Sequence, residues 1–134
     1  MPIDAEQVRL VKSSFIRLLP VRDEFSQRLY ANLFAAAPDV RVLFPKDLRQ
    51  QREKLIATLT TVVNNASKLD EIDRGIWSLG RNHIDYGVKD VHYQVLKDVL
   101  LKTLAEEFGD DMTPDLTAAW SGIYDELASR MRAG

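Results

Sequence analysis

Residues 76–88, which read IWSLGRNHIDYGV, decide the fold, because they place a histidine on the apolar face of a helix. Counted back from His83 by helical steps, Leu79 and Ile76 share its face. The stretch ends at Gly87, a residue type that typically follows the last turn of a helix. An imidazole on an apolar face needs a hydrogen-bond partner or a metal. The sequence is compatible with both: a backbone carbonyl, as for most buried polar groups, or a metal atom, since imidazole is a common neutral metal ligand.

The composition is that of one soluble globular domain over residues 1–134, with 46% hydrophobic and 28% charged residues and a net charge of -2. The chain has no basic stripe and no apolar run near the ~20 residues that cross a bilayer, so we expect neither nucleic-acid binding nor membrane insertion. The absence of cysteine excludes disulfides, thiolate metal sites and thioether-linked cofactors. Any cofactor is therefore held non-covalently or through histidine. The acidic start is unlike a signal peptide, and we expect a cytoplasmic protein.

Apolar residues recur at helical spacing along nearly the whole chain, which predicts an all-α fold of six long helices and short turns. Asp4 is the expected N-cap of the first helix, and Pro20 ends it. The second helix stops near Pro38, and the link from there to Pro45 should form a tight turn of helix. The other helices are predicted from about residue 47 to 66, 69 to 86, 91 to 108 and 114 onward. Gly109 should close the fifth, and Thr113 should cap the last.

Six segments in this order suggest a known family. They are residues 30–34 (YANLF), 38–44 (PDVRVLF), 51–55 (QREKL), 83–88 (HIDYGV), 92–93 (HY) and 119–124 (AWSGIY). Together they resemble the globin family, and more narrowly the single-domain globins of bacteria and the haem domains of flavohaemoglobins. The resemblance covers nearly the whole chain. It implies a globin fold around non-covalently bound haem b, iron protoporphyrin IX.

The resemblance also implies a role for each matching residue. His83 would bind the iron on the proximal face, while Tyr30, Gln51 and Leu55 would line the distal face where gas binds. The implied cofactor contacts are Phe44, Leu55, Leu79, Val88, Tyr93 and Lys54. The link after Phe44 is short compared with many globins, so Gln50 could take the place of Gln51.

The roles of two further residues, Lys54 and His92, each have two interpretations. Lys54 could reach a haem propionate from its helix, or it could be plain surface charge. His92 could contact the haem edge or a propionate, and it is the alternative to His83 as iron ligand, because the chain has 2 histidines.

A single protein ligand leaves the iron one open position for dioxygen, carbon monoxide or nitric oxide. No histidine occurs in residues 47–66, so the distal face would present the phenol of Tyr30 and the amide of Gln51, which can both donate hydrogen bonds. Bound dioxygen carries partial negative charge, and a bond to a charged acceptor is worth about 1.5–3 kcal/mol. We therefore expect dioxygen to bind tightly and leave slowly.

The flavohaemoglobin pattern pairs its proximal histidine with a tyrosine and a glutamate. The resemblance matches Tyr93 to the tyrosine but places the glutamate beyond Gly134, so we expect His83 to donate its other N–H mainly to the Leu79 carbonyl. The leading interpretation is reversible dioxygen binding for transport or storage, with no catalytic residue assigned. The alternatives are nitric oxide dioxygenation with an external reductase, gas sensing, and a helical interaction protein without cofactor.

Overall fold

Helices make up nearly all of the chain that the computed structural model describes, which is residues 3–72, 74–76 and 89–133, without the side chains of residues 70, 71, 90, 132 and 133. The long helices are α1 (Ala5–Leu18), α2 (Arg22–Ala36), α3 (Arg49–Asn64), α4 (Asp90–Phe108) and α5 (Pro114–Ala133). Short 3₁₀ helices lie at Leu19–Val21, Pro38–Leu43, Leu69–Ile72 and Gly109–Asp111. No strand occurs in these residues, and the all-α prediction is confirmed.

The helix predicted over residues 69–86 is the one that the structure describes least. Its start differs from the prediction, because Leu69–Ile72 forms a 3₁₀ helix and residues 74–76 are helical after it. Residues 77–88 lie outside the described residues. The residues assigned as iron ligand and haem contacts there, His83, Leu79 and Val88, therefore lie outside the described part of the chain.

Helix α1 begins and ends where its sequence predicts. Asp4 Oδ1 accepts a hydrogen bond from the Gln7 N–H at 2.8 Å, and Gln7 Oε1 accepts one from the Asp4 N–H at 3.3 Å. This reciprocal capping box satisfies two N–H groups that have no partner inside the helix. At the other end α1 stops at Leu18, two residues before Pro20, and a 3₁₀ turn leads into α2.

The predicted boundaries of the later helices are also confirmed to within about two residues. Gly109 ends α4 with a φ of 57°, a backbone conformation that residues with a Cβ rarely adopt. The Thr113 Oγ1 accepts a hydrogen bond from the Leu116 N–H at 3.1 Å and caps α5. Helix α3 begins at Arg49 rather than near Asp47, since the Asp47 carboxylate accepts the Arg49 N–H at 3.0 Å just ahead of the helix.

Two helix pairs form the frame of the molecule. Helix α1 packs against α5, and α2 packs against α4, with α3 lying against α1 and α2. A polar bond, buried in the first pair and half-buried in the second, joins the two helices of each pair. Trp120 on α5 donates its Nε1–H to the Ser14 Oγ of α1 at 2.9 Å, and Asn32 on α2 donates to the Thr103 Oγ1 of α4 at 3.0 Å. Helix α2 is thereby held between α3 and α4. None of the described helices combines the length and apolar character needed to cross a lipid bilayer.

Candidate functional site

Three aromatic rings meet where α2 faces the turn that leads to α3. The Tyr30 and Phe44 ring centroids lie 5.6 Å apart at an interplanar angle of 76°, and those of Phe34 and Phe44 lie 5.6 Å apart at 64°. The Tyr30 and Phe34 centroids are 6.0 Å apart. Edge-to-face packing at these distances is the preferred arrangement of aromatic pairs. Phe44 is thus held by two aromatic residues of α2, Tyr30 and Phe34.

Tyr30 is the buried polar residue of this aromatic cluster, with 5% of its surface exposed. Burial raises the pKa of its hydroxyl above the ordinary value, because the phenolate would lose its hydration. A hydrogen bond with the Gln51 side chain and the positive charge of Arg52 act in the opposite direction. The net rise keeps the phenol protonated at neutral pH, so that it remains a hydrogen-bond donor.

The Gln51 side chain lies within hydrogen-bonding reach of the Tyr30 hydroxyl, and this contact favours the phenolate and so acts against the rise in the Tyr30 pKa. This arrangement brings two of the sequence-predicted distal residues together, and the alternative Gln50 is exposed on the same first turn of α3.

Leu55 and Lys54 follow one turn later on α3. Leu55 is half-buried and packs against the hydrophobic core. Lys54 is exposed and lines a cleft of about 530 Å³ with Gln50, Gln51 and four residues between positions 45 and 53. Lys54 therefore lies at the surface in the same cleft as Gln51, a position that suits both a propionate contact and plain surface charge.

Apolar side chains of α3 and α4, together with the Tyr30–Gln51 pair, suit a flat apolar group with polar donors at one face. Helices α3 and α4, which both pack on α2, carry half-buried apolar side chains that lie against the core: Leu55, Ile56, Leu59, Val95 and Leu96. The phenol and amide are the polar donors on the α2–α3 side. These residues fit haem, a large apolar ring whose iron-bound gas accepts hydrogen bonds.

His92 and Tyr93 lie in the first turn of α4. His92 Nδ1 accepts the Lys89 N–H at 2.9 Å and its Nε2 lies 3.9 Å from an Asp39 carboxylate oxygen. The imidazole thus caps α4 and faces the 3₁₀ turn before Phe44, a role that the sequence analysis did not anticipate. Tyr93 is 9% exposed, and its carbonyl accepts the Tyr124 O–H of α5.

Arg41 is a second residue that sequence reasoning missed. Its guanidinium lies over the Phe34 ring, with the central carbon 5.0 Å from the ring centroid. No periodic pattern marks this residue. It lies in a 3₁₀ turn between two prolines, and the position of a long flexible side chain there depends on the folded link around it.

A family model described as Globin matches residues 27–131 of this chain. The chain belongs to the globin family. Leghemoglobin-1 of Lupinus luteus is 32% identical over 139 residues, which cover 91% of this globin and 88% of the plant protein. An uncharacterized globin-like protein of Aquifex aeolicus is 28% identical over 129 residues, 96% of this globin and 91% of that protein.

A solved structure shares the globin architecture closely. It is an engineered carbene transferase named as a "putative nitric oxide dioxygenase from Rhodothermus marinus", with a TM-score of 0.83 and 27% identity over 95% of this globin and 89% of that chain. The predicted globin fold is therefore confirmed. Globins bind haem and, through its iron, diatomic gases, and haem-based gas binding is the general function of this globin.

Proposed function

We propose that this globin holds haem b non-covalently through His83 and reversibly binds dioxygen, carbon monoxide and nitric oxide on the opposite face, in oxygen transport or storage. The observation that carries the proposal is the buried Tyr30 hydroxyl, which lies beside the Gln51 side chain and whose ring packs on Phe44. A buried phenol that stays protonated is a hydrogen-bond donor suited to a ligand that acquires negative charge on binding. The absence of cysteine fits a cytoplasmic setting.

The proposed site divides its tasks among residues of this chain. Haem iron supplies the position at which the gas binds. Tyr30 would donate a hydrogen bond to the bound gas, and Gln51 would orient Tyr30 through the hydrogen bond between the two side chains. Phe44 and Leu55 would pack on the porphyrin from the link and from α3.

The remaining contacts complete the proposed cofactor site. Val88 and Tyr93 would contact the haem, and the Leu79 carbonyl would accept the second N–H of His83 and so orient the imidazole. Lys54 would reach a propionate from α3. Because the site has one protein ligand to iron, the gas position stays open.

Absorption spectra of the purified protein test this proposal. The wild-type protein should take up haem, and its reduced form should bind carbon monoxide with a shift of the main absorption band. His83→Gly should lose this ligation, and added imidazole should restore it. The matched control is His92→Gly, which removes the second of the 2 histidines and should keep the wild-type ligation. A His83→Gly protein with unchanged haem ligation contradicts the proposal.

Nitric oxide dioxygenation is the second candidate function. The similarity to the Rhodothermus marinus protein favours it, as does a donor pair that would retain dioxygen until nitric oxide arrives. In this reaction nitric oxide and dioxygen combine to nitrate, and one electron from an external reductase returns the iron to the ferrous state. Sustained nitric oxide consumption with a flavin reductase and NADH, one nitrate per nitric oxide, would support it. A single turnover that stops would contradict the enzymatic function and leave the gas-binding proposal standing.

A further inference from the structure

Arg41 lies near the end of the 3₁₀ helix Pro38–Leu43, and its guanidinium folds back over the link to α3. Its Nη1 donates to the carbonyl oxygens of Phe44 at 3.3 Å and Pro45 at 3.0 Å, and its Nη2 donates to that of Lys46 at 3.2 Å. These carbonyls lie between two helices, where the helical hydrogen-bond pattern does not supply partners. One side chain therefore binds three consecutive carbonyls of an irregular segment.

The same guanidinium also contacts the aromatic cluster. It lies over the ring of Phe34 at 5.0 Å, and the Phe34 ring packs on Phe44 at 5.6 Å. Arg41 thus contacts Phe44 twice, directly at its backbone and indirectly through the ring of Phe34. A charge-assisted hydrogen bond is stronger than a neutral one, and a cation–π contact strengthens when the cation is partly removed from water.

We infer that Arg41 is a positioning residue of the candidate site: it fixes the ring of Phe44 and, through that ring, the direction of the Tyr30 hydroxyl. The inference rests on the proposed function and extends it to a side chain that contacts Phe34 and the link. Phe44 has the extended backbone angles φ -120° and ψ 151°, outside the helical hydrogen-bond pattern, and Arg41 binds its carbonyl.

The link that Arg41 holds also leads into α3. The first turn of α3 carries Gln51, the residue whose side chain contacts the Tyr30 hydroxyl. Release of the three carbonyls would therefore disturb the Tyr30 hydroxyl from two sides, through the Phe44 ring and through the start of α3. Lysine cannot replace this function, because an ammonium is a point charge without the planar fork of a guanidinium.

Arg41→Lys is the decisive variant, since it keeps the positive charge and removes the fork. In the protein without haem, amide hydrogen exchange over residues 44–48, where the Phe44 N–H donates to the Arg41 carbonyl at 3.2 Å and Pro45 has no amide hydrogen, should become about tenfold faster, the factor that corresponds to about 1.4 kcal/mol. In the reduced protein with haem and carbon monoxide, the C–O stretching band should shift and broaden as the Tyr30 hydroxyl loses its fixed direction. Haem loss to an excess of apomyoglobin should also be about tenfold faster.

Two arginines elsewhere in the fold provide matched controls. Arg17 lies over the Phe108 ring with its central carbon 4.9 Å from the centroid, and Arg22 donates to the Leu19 carbonyl at 2.6 Å. Arg17→Lys removes a stacked guanidinium and Arg22→Lys removes a guanidinium–carbonyl bond, both outside the candidate site. Both should leave the exchange of residues 44–48 and the C–O band as in the wild type.

Phe34→Leu is a second, independent variant. It removes the ring between Arg41 and Phe44 while leaving the three carbonyl bonds in place. The C–O band should broaden, and exchange of residues 44–48 should stay within about threefold of wild type, well short of the tenfold expected for loss of the fork. This variant keeps the inference testable if Arg41→Lys does not fold.

The outcomes separate this inference from the proposed function. A wild-type protein that takes up no haem overturns both. A wild-type protein that binds haem and carbon monoxide, with Arg41→Lys unchanged in exchange, C–O band and haem loss, overturns the positioning role of Arg41 alone. Equal shifts in Arg17→Lys and Arg41→Lys would also overturn it, because the effect would then be a general loss of stability.

Discussion

Replacement of Tyr30 by phenylalanine should speed dioxygen release about 10- to 150-fold. The substitution removes one oxygen atom and leaves the ring that packs on Phe34 and Phe44. Tyr30 is 5% exposed, so water cannot readily replace the lost donor. A hydrogen bond to a charged acceptor contributes about 1.5–3 kcal/mol, and about 1.4 kcal/mol corresponds to a factor of ten in rate.

Stopped-flow mixing of the oxygenated protein with excess carbon monoxide measures this rate. Carbon monoxide release serves as the internal control, because bound carbon monoxide carries less negative charge. Its release from Tyr30→Phe should be only a few-fold faster than from the wild type, a difference on the order of 1 kcal/mol or less. If dioxygen release from a haem-loaded Tyr30→Phe protein matches that of the wild type, the donor role of the Tyr30 hydroxyl is wrong.

Gln51→Leu extends the same measurement to the second residue of the pair. Since the Gln51 side chain contacts the Tyr30 hydroxyl, its loss should remove part of the stabilisation that Tyr30 provides. The effects of the two substitutions should therefore not add, and the double variant should show an interaction of about 0.5–3 kcal/mol, as is usual for residues in one network. Strictly additive effects would mean that the two side chains act on the gas independently.

Two predictions concern stability. Ser14→Ala should destabilise the protein by about 1–3 kcal/mol in urea unfolding, because the buried Trp120 N–H loses its acceptor, whereas Ser13→Ala, on the exposed side of α1, should change stability by no more than about 0.5 kcal/mol. Equal effects of the two would argue against the bond. The raised pKa of Tyr30 means that the folded protein binds the phenolic proton more tightly than the unfolded chain. The contribution of Tyr30 to the free energy of unfolding should be constant below about pH 10, the ordinary pKa of tyrosine, and should fall as pH rises above it. In guanidinium unfolding between pH 8 and 11, Tyr30→Phe should lose less stability with rising pH than the wild type. Identical alkaline profiles would refute this assignment.

Helix ends were the most predictable part of this fold, because the signals lie within a few residues of each other. Asp4, Gly109 and Thr113 each take the capping position that their residue type favours. Such local chemistry acts before tertiary packing does. The apolar stripes predicted the all-α class for the same reason, since helical spacing is a property of the chain alone.

The candidate site was predictable only in its residue types. Spacing could not choose between Gln50 and Gln51, because the link before α3 has no periodicity and its path decides which amide meets Tyr30. The cap formed by His92 depends on the position of Lys89 at the start of α4. The fold-back of Arg41 depends on three carbonyls that come together only once the link has folded.

The bond between Trp120 and Ser14 joins residues 106 positions apart and ties helix α5 to helix α1. During synthesis on the ribosome, at about 5–20 residues per second, the first helix would wait roughly 5–20 s for this packing partner. Over that interval the apolar stripe of α1 is open to chaperones or to neighbouring nascent chains. The docking of α1 on α5 in this globin is thus expected to wait until α5 has been synthesised.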